Sequence, residues 1–237
     1  MISIKRKLTF AVLVTSAIIL SYVLLQEQKI KELIELDDIM DIDQQKLTEN
    51  DKIFFIESHI EHIRNFSKFK FACSIESAAK INPNLQVHLL FATTSKSVKL
   101  SRSNIVDALL SYENINLMYI DVIKFARGTV LENFMKNSMW KRSRYPVVHL
   151  SDILRPLVLN KYGGLYLDLD VLFKTSLSEI NRTNFACTQN DGLVVNNIMR
   201  LDLEQGKSLT GDFLKKIANE FDGSSWIGKT ATDLTFR

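Results

Sequence analysis

The sequence predicts an α/β fold: a mainly parallel sheet flanked by helices and preceded by one transmembrane helix. Three observations predict it. Apolar runs of strand length alternate with segments of helical period along most of the chain. Residues 8–25, LTFAVLVTSAIILSYVLL, carry no charge and follow a cluster of Lys5, Arg6 and Lys7. The 46% hydrophobic fraction, with eight Gly and three Pro, excludes a disordered or collagen-like chain.

The first 7 residues read as a cytosolic tail and residues 8–25 as a signal anchor. As a helix, that run rises about 27 Å, enough for a thin bilayer. It is longer than the apolar core of a cleaved signal peptide. The basic cluster keeps the tail cytosolic, giving a single-pass type II protein whose remainder is lumenal. Residues 26–50 hold eight acids and three bases. They read as an acidic, solvated stem, with Ile30, Leu33 and Ile34 at helical spacing and room for pairing with a second stem. Asn65-Phe66-Ser67 and Asn181-Arg182-Thr183 are glycosylation acceptors, in keeping with a lumenal domain. An oxidising lumen would permit Cys73 and Cys187 to pair, and the sequence leaves that open.

The domain over 51–237 is justified element by element. Lys52–Ser58 (KIFFIES) reads as a buried strand, Phe69–Ile81 as an amphipathic helix stopped near Pro83, and Val87–Ala92 as a second strand. Ser103–Tyr112 is a helix behind a good cap residue, Leu117–Val122 a third strand and Phe125–Lys136 a helix. Trp140–Pro146 is a basic aromatic loop. Val148–Tyr162 is a helix ended by Gly163-Gly164, and Leu165–Val171 is a central strand. Phe185–Thr188 is another strand and Leu209–Phe221 the last helix. In such a sheet, ligands sit at the carboxyl ends of the strands.

The +3 net charge divides into +3 on the tail, −5 on the stem and +5 on the domain. Nothing resembles an aromatic-studded basic groove, so nucleic acid is excluded as a partner. The modest excess on the domain suits an anionic diphosphate.

Asp168 and Asp170 end the strand LYLDLD, where positions i and i+2 share a face. Two carboxylates so close repel unless a cation or a bound proton resolves the conflict, and their hard oxygens suit Mn²⁺ or Mg²⁺. Upstream, Asp152 and Arg155 lie three apart on one helix face and form a candidate sugar clamp. Pro156 follows inside the same helix, where it is expected to kink it. His59, Glu61 and His62 lack the zinc-protease spacing and read as a solvated loop. Lys141, Arg142 and Arg144 are candidates for a diphosphate or an acidic surface, with solvation as the plainer reading. Trp226 reads as either a stacking or a core residue. A glycosidase is disfavoured because i and i+2 carboxylates are too close to flank a sugar ring.

The run RSRYPVVHLSDILRPLVLNKYGGLYLDLDVLFK resembles the DxD-containing sugar transferases of the alpha-1,4-galactosyltransferase family. IFFIES, ACSIESAAKINPNLQVHLLFA and LLSYENINLMYID extend the resemblance over roughly residues 51 to 226. It implies a GT-A-type, Rossmann-like fold, Mn²⁺ and a UDP-galactose or UDP-N-acetylgalactosamine donor. It also implies a glycolipid or glycan acceptor and an anchored Golgi enzyme forming an alpha-1,4 linkage with retention. Asp168 and Asp170 then correspond to the metal- and donor-binding pair, and Asp152 and Arg155 to donor-sugar contacts. Tyr145 and Ser151 line the site, and KIFFIES supports uridine. Gln189, Asn190 and Asp191 are candidates for a group assisting the attack. Family members continue past Trp226 into an NGPG-type segment, where this chain reads FDGSSWIGKTATDLTFR. The expectation is therefore a domain incomplete at its C-terminus, with a non-catalytic anchored relative that binds a nucleotide sugar or partners a full-length enzyme as the alternative.

Overall fold

The computed structural model describes residues 18–24, 33–35, 41–44, 47, 52–64, 66, 69–94, 99–180, 182–188 and 194–224. In chain order, its elements begin with β1 (Leu33–Glu35), β2 (Lys52–Glu57), α1 (Ile60–Arg64), α2 (Phe69–Ile81), β3 (Gln86–Thr93) and β4 (Lys99–Ser101). There follow α3 (Asn104–Leu110), β5 (Ile115–Asp121), α4 (Val122–Phe125), α5 (Glu132–Lys136) and α6 (Pro146–Tyr162). The last are β6 (Gly164–Leu167), β7 (Phe185–Thr188), β8 (Val194–Leu201) and α7 (Leu203–Glu220).

Six strands form one sheet in the order β5-β3-β2-β6-β8-β7. The first four are parallel, while β8 runs antiparallel to both β6 and β7. Strand β2 is buried along its whole length, as expected for a central parallel strand covered on both faces. Alternate residues feed two cores: Phe54, Ile56, Leu90 and Tyr166 pack toward α6 and α7, and Ile53, Phe55, Leu89 and Leu165 toward α2 and α3. After β2 the chain moves outward to β3 and β5, then returns to place β6 on the other side of β2. The strand order thus reverses between β2 and β6, and the carboxyl ends of these strands are where sheets of this kind receive ligands.

The turn from α6 into β6 requires its two glycines. Gly163 and Gly164 have φ of 62° and 101°, and a Cβ on Gly164 would lie 2.9 Å from the Lys52 carbonyl oxygen. Pro156 sits inside an unbroken α6. Lacking an N–H, it leaves the Asp152 carbonyl without its usual helical partner.

Several sequence expectations are corrected. The strand expected to run to Val171 ends at Leu167, and Asp168–Val171 is a turn closed by a Val171 N–H bond to the Asp168 carbonyl at 3.1 Å. The helix expected over 125–136 is broken at Gly128, φ 71°, into α4 and α5. Strand β8 was not anticipated, and α7 starts at Leu203 behind an Asp202 cap that accepts from the Gln205 N–H at 2.8 Å.

The acidic segment before residue 51 is not simply a solvated helix either. Leu33–Glu35 is a strand antiparallel to β4, Asp41 bridges to Tyr119, and Ile42 is fully buried in the core beside α6. Asp43 accepts from Lys161 Nζ at 2.7 Å and Tyr162 Oη at 3.0 Å. Burial, reinforced by Asp43, raises the Tyr162 phenol well above its ordinary value. Within the run 8–25, residues 18–24 are helical and exposed, and the rest of the expected anchor lies outside the described residues. No helix among the described residues is long and apolar enough to cross a membrane. Cys73 and Cys187 are free thiols. Asn65, Asn181 and Trp226 lie outside the described residues.

Candidate active site

Helix α6 follows β5 and precedes β6, so it packs on the sheet face that carries Tyr166. Asp168, two residues beyond Tyr166, turns toward the same helix. There Arg155 gathers the site. Its Nη2 lies 3.2 Å from Asp168 Oδ1, and its Nη1 lies 3.3 Å from Asp152 Oδ1. Nη1 also donates to Asn196 Oδ1 at 2.7 Å, and Nε and Nη2 donate to Ser151 Oγ at 3.3 and 3.2 Å. The guanidinium stacks over the Tyr166 ring, 5.3 Å from its centroid. Asn196, buried on β8, completes a circuit by donating to Asp152 Oδ1 at 3.3 Å. Residues from α6, β6, the turn after it and β8 thus form one hydrogen-bonded unit.

Asp168 is the half-buried carboxylate of this unit, just past the end of β6. Its Oδ1 accepts from Tyr166 Oη at 2.7 Å as well as from Arg155. Among the described residues no hydrogen bond or ion pair engages Oδ2. Burial pushes the Asp168 carboxyl above its ordinary value; Asp170 and Asp152 add to this, while Arg155 and Tyr166 oppose it. Burial also works against the Arg155 charge, but Tyr166, Asp168, Asp152 and Asp170 outweigh it and raise that pKa. The buried Tyr166 phenol is held far above its ordinary value, chiefly by burial.

Asp170 is exposed in the turn, so the pair expected to share a strand face is instead one half-buried and one solvent-facing carboxylate. Among the described residues no group of three or more His, Cys, Asp or Glu is arranged to hold a metal. A cation here would rest on Asp168 Oδ2 and Asp170. Two hard-oxygen donors fit an ion that takes one or two carboxylates and completes its octahedron with water and substrate phosphate.

The neighbouring strand end contributes a second polar group. Glu57, buried at the end of β2, accepts from the His59 N–H at 2.8 Å and pairs with His62 Nδ1 at 3.1 Å. The His59 and His62 rings stack at 4.2 Å. The solvated loop expected for His59, Glu61 and His62 is therefore an ordered cap on β2, with only Glu61 exposed. Ser58 Oγ donates to the Val147 carbonyl at 3.2 Å, joining this end of β2 to the start of α6.

Tyr145 precedes α6, and its N–H donates to Ser143 Oγ at 2.7 Å. Ser143 Oγ also bonds to His149 Nδ1 at 2.7 Å, and the Arg144 N–H donates to the Gly223 carbonyl at 2.9 Å. The loop that carries exposed Lys141, Arg142 and Arg144 is thereby fixed against the end of α7. Gln189, Asn190 and Asp191 lie outside the described residues. Tyr166 and Asn196 were not singled out from sequence. Tyr166 reads as a core residue of its strand, and Asn196 lies in an unassigned segment.

A family model described as a glycosyltransferase sugar-binding region containing a DXD motif matches residues 68–186. Mouse lactosylceramide 4-alpha-galactosyltransferase is 30% identical over 132 residues, covering 55% of this chain and 36% of that protein. Human alpha-1,4-N-acetylglucosaminyltransferase is 29% identical over 121 residues, covering 50% of this chain and 35% of that protein. The match thus takes in well under half the length of either relative. Among solved structures, PaToxG glycosyltransferase superposes with a TM-score of 0.56 at 15% identity, covering 78% of this chain and 66% of that one, a likeness of fold. The family match includes both the SDILR helix and the DLD turn that Arg155 ties together, and the chain belongs to the DXD-containing glycosyltransferase family.

Proposed function

We propose that the chain transfers galactose or N-acetylgalactosamine from a UDP-sugar to a glycolipid or glycan hydroxyl, forming an alpha-1,4 linkage with retention. The observation that carries this reading is the Arg155–Asp168 contact, which joins the SDILR and DLD elements at the strand end where the strand order reverses. Asp168 and Asp170 would hold Mn²⁺ or Mg²⁺, which when bound supplies positive charge to the leaving diphosphate.

The chain's own residues supply the rest. Asp152 and Arg155 form a preformed acid and guanidinium pair, suited to sugar hydroxyls. Arg155 is braced on several sides, so its charge is already in place when negative charge develops on the leaving group. The buried Tyr166 and Asn196 hold the pair in place, through the ring under the guanidinium and the amide between Arg155 and Asp152. Ser151 and Tyr145 line the site, and Asp191, with Gln189 and Asn190, is retained as a candidate to assist the attacking hydroxyl. The run 8–25, with Lys5, Arg6 and Lys7 before it, would anchor the domain on the lumenal side of a Golgi membrane.

The test is hydrolysis and transfer from UDP-galactose and UDP-N-acetylgalactosamine by the purified chain, with Mn²⁺ and with a chelator. Metal-dependent turnover that falls to background in Asp168→Ala and Asp170→Ala is expected. Undiminished turnover in Asp168→Ala would overturn the assignment. Donor binding without turnover would instead select a non-catalytic relative.

A further inference from the structure

Tyr166 is 1% exposed, yet it carries a hydroxyl, and a hydroxyl taken out of water needs a partner. Its partner is Asp168 Oδ1, at 2.7 Å. Arg155 Nη2 reaches that same oxygen at 3.2 Å. Two donors therefore converge on one oxygen of the carboxylate, while no contact among the described residues engages the other.

The arrangement resists rotation. Arg155 is held by Ser151, Asn196 and Asp152 and lies against the Tyr166 ring. The Asp168 backbone is fixed by its N–H bond to the Asn197 carbonyl at 2.9 Å. Swinging the carboxylate to offer both oxygens would break the Tyr166 and Arg155 contacts together and leave the buried phenol O–H without its Asp168 acceptor.

We infer that Tyr166 is a positioning residue that, with Arg155, locks Asp168 so that Oδ2 alone is presented to a cation, favouring Mn²⁺ over Ca²⁺. The inference rests on the assignment of Asp168 and Asp170 as cation donors proposed above. Small octahedral ions accept a single carboxylate oxygen and keep their waters. Ca²⁺ takes six to eight oxygens and gains from bidentate carboxylates. With Oδ1 committed, the bidentate mode is closed.

The experiment measures Mn²⁺ and Ca²⁺ binding separately by titration calorimetry on the full chain, wild type against Tyr166→Phe. Removing the hydroxyl keeps the ring but takes away one of the two donors on Oδ1, leaving Arg155 as the other and one lone pair open to a cation. Mn²⁺ binding weakens by about tenfold, the lower end of what loss of such a supporting contact costs. Ca²⁺ binding weakens less or improves, so the preference for Mn²⁺ narrows. General damage to the fold would weaken both ions alike and leave the preference unchanged. Asn196→Ala loosens Arg155 from the other side and shifts the preference in the same direction, so it carries the test if Tyr166→Phe does not fold. An unchanged preference in either folded variant overturns the inference alone. A wild-type chain that binds neither ion overturns the cation assignment and the inference with it.

Discussion

Arg155 and Asp168 are thirteen positions apart in sequence, on a helix and in the turn after the following strand, and their charged atoms meet at 3.2 Å. The same guanidinium also reaches Asp152, so one cation serves two carboxylates that are largely shielded from water. Replacing it with an apolar side chain leaves both acids without their counter-charge. Arg155→Met is expected to lose about 3 to 5 kcal/mol of unfolding free energy near neutral pH. The deficit shrinks in acid as Asp168, whose carboxyl already sits above its ordinary value, takes up its proton. Urea unfolding at a series of pH values measures both, and a deficit that does not change with pH would count against a charge-pairing role.

The segment before residue 51 contributes to stability through Ile42, which is fully buried in the core beside α6. Ile42→Ala is expected to cost about 2 to 5 kcal/mol. Asp43, whose side chain is about a third exposed, contributes less: Asp43→Ala is expected to cost about 1 kcal/mol. A chain started at residue 51 should melt well below one started at residue 33. Equal melting temperatures would show the segment to be dispensable.

His88 lies in the middle of the sheet, stacked on Phe54, with neither ring nitrogen hydrogen-bonded among the described residues. Burial, and then the nearby Lys52 charge, lower its pKa to about 4 from 6.5. The folded state therefore disfavours the proton that the unfolded chain accepts below pH 6.5. The stability held above pH 6.5 is lost as pH falls through about 4, by about 3 kcal/mol in all. His88→Leu should flatten that part of the stability profile. A wild-type curve level from pH 7 to 4 would contradict the buried neutral state.

The site was legible where chemistry and local spacing coincide. SDILR places Asp152 and Arg155 one turn apart by helical geometry alone, and the DLD triplet announces its carboxylates whether it lies in a strand or a turn. Asn196 was not legible because Asn196-Asn197 interrupts the apolar pattern of VVNNIMRL, so no strand was assigned where β8 runs. Its role depends on β8 pairing antiparallel to β6, which no local pattern encodes. Ile42 was hidden by its acidic neighbours. A segment with so many carboxylates reads as solvated, although one side chain in it is enough to enter the core. Glu57 and the two histidines lacked a recognised spacing, and their order comes from the end of β2 and its neighbour α6.

The strand order has a consequence for any attempt to excise the domain. The family match spans residues 68–186. It therefore omits β2 and β8, which are the two strands that flank β6. A fragment cut to those limits would carry the DLD turn on a strand with bare backbone on both edges. Such a strand is a template for adventitious pairing with other chains. The sequence span that identifies the family is thus narrower than the unit able to fold.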